Sequence, residues 1–165
     1  QEEAFVGRCG ETGDELGSAI VAARQIRDLM RLSLLMYKRY PPYSKCLGSA
    51  FAQLPLADKV APMLRNALAA TTWHEREDHL AAAYTAIAQA HNDLGLTEAI
   101  DPSTRPYHDR PYQVLSAERF TQALLATVPH LTSLTGAIDQ FMDNTDLLDD
   151  QNLTSSLVEV AQSRT

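Results

Sequence analysis

The stretch Asp14–Tyr43, DELGSAIVAARQIRDLMRLSLLMYKRYPPY, decides how the rest of the chain is read. Asp14 is a suitable N-cap for a helix that runs to about Tyr40. At about 100° per residue, Ala22, Ile26, Leu29, Met30, Ser33, Leu34 and Tyr37 fall on one side, the pattern of a core-facing stripe. Arg24, Arg27, Arg31 and Lys38 gather on the opposite side, within about 60° of one line. Such a row either faces water or meets an anion, because like charges three or four apart repel. The anion would be a phosphate or carboxylate ligand, or the acidic C-terminal segment.

Pro41 and Pro42 then stop the helix, and the surrounding text is unusual for a simple corner. Tyr37, Tyr40 and Tyr43 lie there with Lys38, Arg39 and Lys45. Phenol rings offer a stacking face and a hydroxyl, and the cations offer charge to a phosphate or carboxylate.

Beyond the corner the chain reads as helix almost throughout. Segments are expected over Tyr43–Leu54 and Ala57–Ala70, then a long helix from a Thr72 cap to Leu94, stopped by Gly95. Ser116 is placed to cap Ala117–Val128, with Glu118 near the position of a capping carboxylate. Further helices are expected at about Ala137–Leu148 and Leu153–Gln162. No stretch alternates with period two, so no sheet is expected. The predicted fold is all-α: an irregular bundle of about six to seven helices with one long proline-rich ordered loop, Leu96–Gln113. Residues 1–13 read as a glycine-rich hinge, a linker or the end of an upstream domain, and 14–165 as a single helical domain. The first residue is Gln, so the chain reads as a piece of a longer protein or as a processed product.

Composition narrows the function classes. The chain has 165 residues, 45% hydrophobic and 21% charged, enough for one domain with its own core. The net charge of −7 argues against DNA or RNA as a broad partner, which demands a basic surface. No apolar run approaches the roughly 20 residues that span a bilayer, so no membrane partner is expected. Cys9 and Cys46 do not form a metal-spaced pair, and two free thiols fit a cytoplasmic location. His74 and His79 are five apart and cannot share a zinc on one helix face. Gly7, Gly10, Gly13 and Gly17 are not followed by Gly-Lys-Ser/Thr, so they are no phosphate-cradling Walker loop.

Two other clusters carry chemistry. The loop Thr104–Tyr112, TRPYHDRPY, holds Arg105, Tyr107, His108 and Arg110 between prolines. It is either a ligand-contacting loop or a structural clamp with its arginines tied to Asp101 or Asp109. Asp139, Asp143 and Asp146 would share a helix face and could meet basic residues, Mg²⁺ or water.

The blocks Gly13–Ser18, Arg39–Gly48, His91–Thr97, Arg105–Tyr112 and Ile138–Asp146, in this order, resemble a bacterial domain-of-unknown-function family. The family forms the C-terminal helical half of proteins whose N-terminal half looks like a nucleotidyltransferase. Where that family's pattern has Trp after the lysine of Tyr-x-Pro-Tyr-x-Lys, this chain has Cys46. The resemblance implies a missing N-terminal catalytic partner domain that binds Mg²⁺ and a nucleoside triphosphate, with no cofactor held by this segment. It implies a helical half that closes the cleft over a nucleotide or small-molecule acceptor. By that analogy Arg39 and Lys45 contact phosphate, Tyr40 and Tyr43 stack on base or acceptor, and Asp14 or Glu15 could act as a base. The expected ligand site joins these residues to Arg24, Arg31 and Lys38 and to the loop residues Arg105, Tyr107, His108 and Arg110. The alternative is a non-catalytic helical module for protein interaction or nucleotide sensing.

Overall fold

A computed structural model describes residues 2–128 and 149–162. Among the described residues there are seven helices and one two-stranded antiparallel ladder. The helices are α1 (Phe5–Glu11), α2 (Glu15–Met36), α3 (Ser44–Phe51), α4 (Ala57–Ala69), α5 (Trp73–Asn92), α6 (Glu118–Thr127) and α7 (Gln151–Gln162). The ladder pairs β1 (Arg105–Pro106) with β2 (Gln113–Val114). The expected all-α class holds, and the ladder is a correction to the expectation of no sheet. Two-residue strands are too short to show alternation, and Pro106 supplies no N–H, so periodicity had nothing to register.

The chain divides into two compact units, residues 1–120 and 121–165. The first is organised around α2. Asp14 caps it, accepting from the Gly17 N–H at 2.7 Å, as the sequence suggests. Ala22, Ile26, Ser33 and Leu34 are buried, with Leu29 and Met30 packed at the margin. They meet Leu47 and Phe51 of α3, Val60, Leu64 and Ala67 of α4, and Leu80, Ala83, Tyr84 and Ile87 of α5. Thr72 caps α5, accepting from the Glu75 N–H at 3.4 Å, and the chain leaves that helix through Gly95 at φ 63°. In the second unit, Asp150 accepts from the N–H groups of Asn152 and Leu153 at the start of α7. The expected helix at 137–148, with Asp139, Asp143 and Asp146, lies outside the described residues.

Two local expectations are corrected. The glycine-rich start is not a hinge along its length: residues 5–11 form α1, packed on α2 and α5. A Cβ at Gly7 would strike the Tyr112 ring, and one at Gly10 the Trp73 ring. Those glycines therefore allow a close helix–ring approach, while Gly13 at φ 80° makes the turn into α2. Among the described residues no hydrogen bond to the Ser116 side chain caps α6; its backbone carbonyl accepts from the Arg119 N–H at 3.1 Å. Its φ is 57°, and the carboxylate of Glu3 accepts from the N–H groups of Leu115, Ser116 and Ala117. A partner more than a hundred residues away in sequence leaves no local motif to read.

Candidate functional site

α2 ends at Met36, four residues earlier than the expected Tyr40. The Arg39 N–H reaches the Leu34 carbonyl at 2.9 Å and the Lys38 N–H reaches Leu35 at 2.8 Å. This is a Schellman ending, in which the left-handed residue is usually glycine. Here it is Lys38, at φ 56°. A non-glycine residue in that conformation costs about 1 kcal/mol. Pro41 is buried and anchors the turn, and Tyr43 in extended conformation precedes α3.

The corner side chains point outward. Tyr40 is 75% exposed, Tyr43 51% and Tyr37 40%, and Lys38, Arg39 and Lys45 are exposed as well. Among the described residues, none of those three cations has a carboxylate within ion-pair distance. Interaction with the Cys46 thiol raises the Tyr43 phenol above its ordinary pKa. Cys46 is exposed on the same corner.

The stripe on α2 is partly neutralised. Arg24 pairs with Glu2 at 3.3 Å and Arg27 with Asp28 at 3.2 Å, while Arg31 is half-buried. The two carboxylates proposed as bases are engaged. Asp14 caps α2. Glu15 accepts from the buried Arg76 guanidinium at 3.0 Å and from the Trp73 N–H at 3.1 Å. The Arg76 bond is the main reason its carboxyl lies below the usual range.

The loop residues are arranged differently. Arg105 pairs with Asp101 at 3.1 Å, and Arg110 with Glu11 at 3.5 Å. Tyr107 stacks on the buried Tyr112, ring centres 5.9 Å apart, and meets His108 edge-on at 4.6 Å. His108 turns the tip at φ 56°. The Arg105–Asp101 tie matches the clamp reading, and Arg110 takes Glu11 rather than Asp109.

The structure does not bring corner and loop together. The loop lies against α1 and Trp73, beside Glu15 at the start of α2. The corner follows the other end of the same helix, whose 22 residues rise roughly 33 Å. A shallow groove of about 540 Å³ between α4, α5 and residues 102–104 is lined by Lys59, Met63, Ala82, Thr85, Gln89 and Pro102, and by none of the expected ligand residues.

Residues 1–47 match the family described as Domain of unknown function (DUF4037). The DUF4037 match covers α1, α2 and the whole corner, and ends in α3. No curated protein and no solved structure matches the chain.

Several polar groups escaped the sequence reading. Arg76, 3% exposed, also donates to Ser18 Oγ at 2.8 Å and to the Ala70 carbonyl at 2.9 Å, locking α2 to α5. Gln25 links the Tyr84 hydroxyl to the Glu2 carbonyl. Burial pushes the Glu77 carboxyl up to about 7, against a hydrogen bond from the Gln113 N–H that favours its charged form. His91 packs edge-on against Phe120, with burial lowering its pKa and neither ring nitrogen bonded among the described residues. A signal existed: positions 76, 77 and 91 fall in register with Trp73, Leu80, Tyr84 and Ile87. Among the described residues, no group of three or more His, Cys, Asp or Glu is placed to hold a metal ion, and no helix is long and apolar enough to cross a membrane.

Proposed function

We propose that this chain is the helical half of a nucleotidyltransferase-like protein, and that its Tyr37–Lys45 corner binds the phosphate-bearing ligand of the shared cleft. The catalytic half, with its Mg²⁺ and nucleoside triphosphate, belongs to a separate N-terminal domain. One observation carries this reading: three cations with no carboxylate partner among the described residues stand beside three exposed phenol rings on a proline-stiffened turn. Folding alone gives no reason to place lysine at the left-handed position of that turn. Arg39 and Lys45 take phosphate oxygens, Tyr40 and Tyr43 stack on a base or acceptor ring, and Lys38 adds charge.

The test is a thermal-shift and calorimetric titration of the complete protein with nucleoside triphosphates and Mg²⁺, repeated on a Tyr43→Ala, Lys45→Ala double variant. Loss of one stacking face and one phosphate contact should weaken binding by about tenfold or more. Unchanged affinity in the folded double variant removes the corner from the site. A second reading, a protein-interaction module, draws on Leu16 and Ile20 of α2, which are 74% and 62% exposed one helical turn apart. On that reading the complete protein shows no nucleotide-dependent shift.

A further inference from the structure

α1 has seven residues, too few to be stable as an isolated helix. Its order comes from the segment it lies on. At one end the Glu3 carboxylate holds three consecutive N–H groups, with Ser116 at 2.9 Å and Ala117 at 2.8 Å. At the other end Glu11 pairs with Arg110 at 3.5 Å. Between the two ends, Gly7 sits against the Tyr112 ring. Two residues of the gripped segment, His108 and Ser116, hold left-handed backbones at φ 56° and 57°. Such conformations persist only where the surroundings enforce them, so each marks a place that relaxes when its restraint is lost. Glu3 restrains Ser116 directly, and Glu11 restrains the arm on which His108 turns.

We propose that α1 is a strap that couples the hairpin tip, Tyr107–Arg110, to the turn that starts α6. An anion that draws Arg110 away from Glu11 loosens the strap at one end and frees Leu115–Ala117 at the other. A pull on Glu2 or Glu3 from the N-terminal side runs the same path in reverse, since coupling between two sites is reciprocal. This inference rests on the packing of α1 and is independent of the ligand assigned to the corner.

Hydrogen exchange on the full chain tests it with three variants. Glu3→Gln should speed exchange of the Leu115, Ser116 and Ala117 amides about tenfold, and should also speed the Tyr107 amide, which bonds the Tyr112 carbonyl at 2.9 Å. Glu11→Gln, which touches none of the 115–117 amides, should still speed them about threefold. Leu64→Ala, in the α4–α5 core, should raise exchange throughout residues 2–120 and serves as the pattern of plain destabilisation. Effects confined to each carboxylate's own partners overturn the strap, and so does a uniform rise like that of Leu64→Ala. If Glu3→Gln does not fold, Glu11→Gln at the more exposed end decides alone.

Discussion

The corner at 37–45 and the hairpin at 105–112 are written in the same residues and do different things. Both combine tyrosine, proline and cations, and both contain a non-glycine residue with a left-handed backbone. In the hairpin each arginine has a carboxylate, and Tyr107 lies on a second ring that is 2% exposed. In the corner the rings face outward, and among the described residues Lys38, Arg39 and Lys45 have no such partner. The lesson is that Arg-Pro-Tyr chemistry is ambiguous until the neighbours are known. The same side chains clamp where a carboxylate and a cavity meet them, and stand exposed where neither does.

The strongest way to break this contrast is to cut a ring from each side. Tyr112→Ala removes a buried ring packed against Gly7 and Trp73 and should cost about 3–5 kcal/mol. Tyr40→Ala should stay within about 0.5 kcal/mol. Urea unfolding of both variants measures the difference, and similar losses would erase the distinction.

A pH titration sharpens it next. Burial of Glu77, on α5 where that helix packs on β2, raises its folded pKa from 4.5 to about 7. Its contribution to stability is therefore full below about pH 4.5 and is lost as the pH rises through about 7. Glu77→Gln keeps a neutral side chain at every pH. It should gain about 1–3 kcal/mol over the natural chain at pH 8 and almost nothing at pH 4.5. Unfolding at both pH values reads this on the hairpin side. A gain of equal size at both would show that Glu77 ionises normally.

The smallest effect is the most diagnostic for the corner. Lys38→Gly relieves the left-handed backbone and should stabilise the fold by about 0.5–1 kcal/mol. In the complete protein it should weaken nucleotide binding by a few-fold, because a cation leaves the site. A variant that is more stable and binds equally well would make Lys38 an ordinary surface residue.

Much of the fold was readable because local rules governed it. The caps at Asp14 and Thr72, the stop at Gly95 and the apolar stripe Ala22–Leu34 all depend on residues within a few turns of one another. What was hidden depends on distant neighbours. Gly7 and Gly10 look like a hinge until Tyr112 and Trp73 are set against them. Glu3 looks like a terminal charge until it meets Leu115–Ala117. The end of α2 was read too late because proline sets an outer limit to a helix, whereas the Schellman turn at Lys38 closes it earlier. Of the candidate site, the composition of the corner and loop was legible. Their separation along α2 was not, since spacing in sequence says nothing about which end of a helix a later loop returns to.

The long reach of Glu3 also bears on synthesis. Its amide partners are translated 112 or more residues later, on the order of ten seconds at about 5–20 residues per second. Throughout that interval α1 has neither the Tyr112 ring nor its backbone donors, and a helix so short will not hold its shape unaided. A ribosome-bound chaperone has its widest opening there, and it closes once the hairpin emerges.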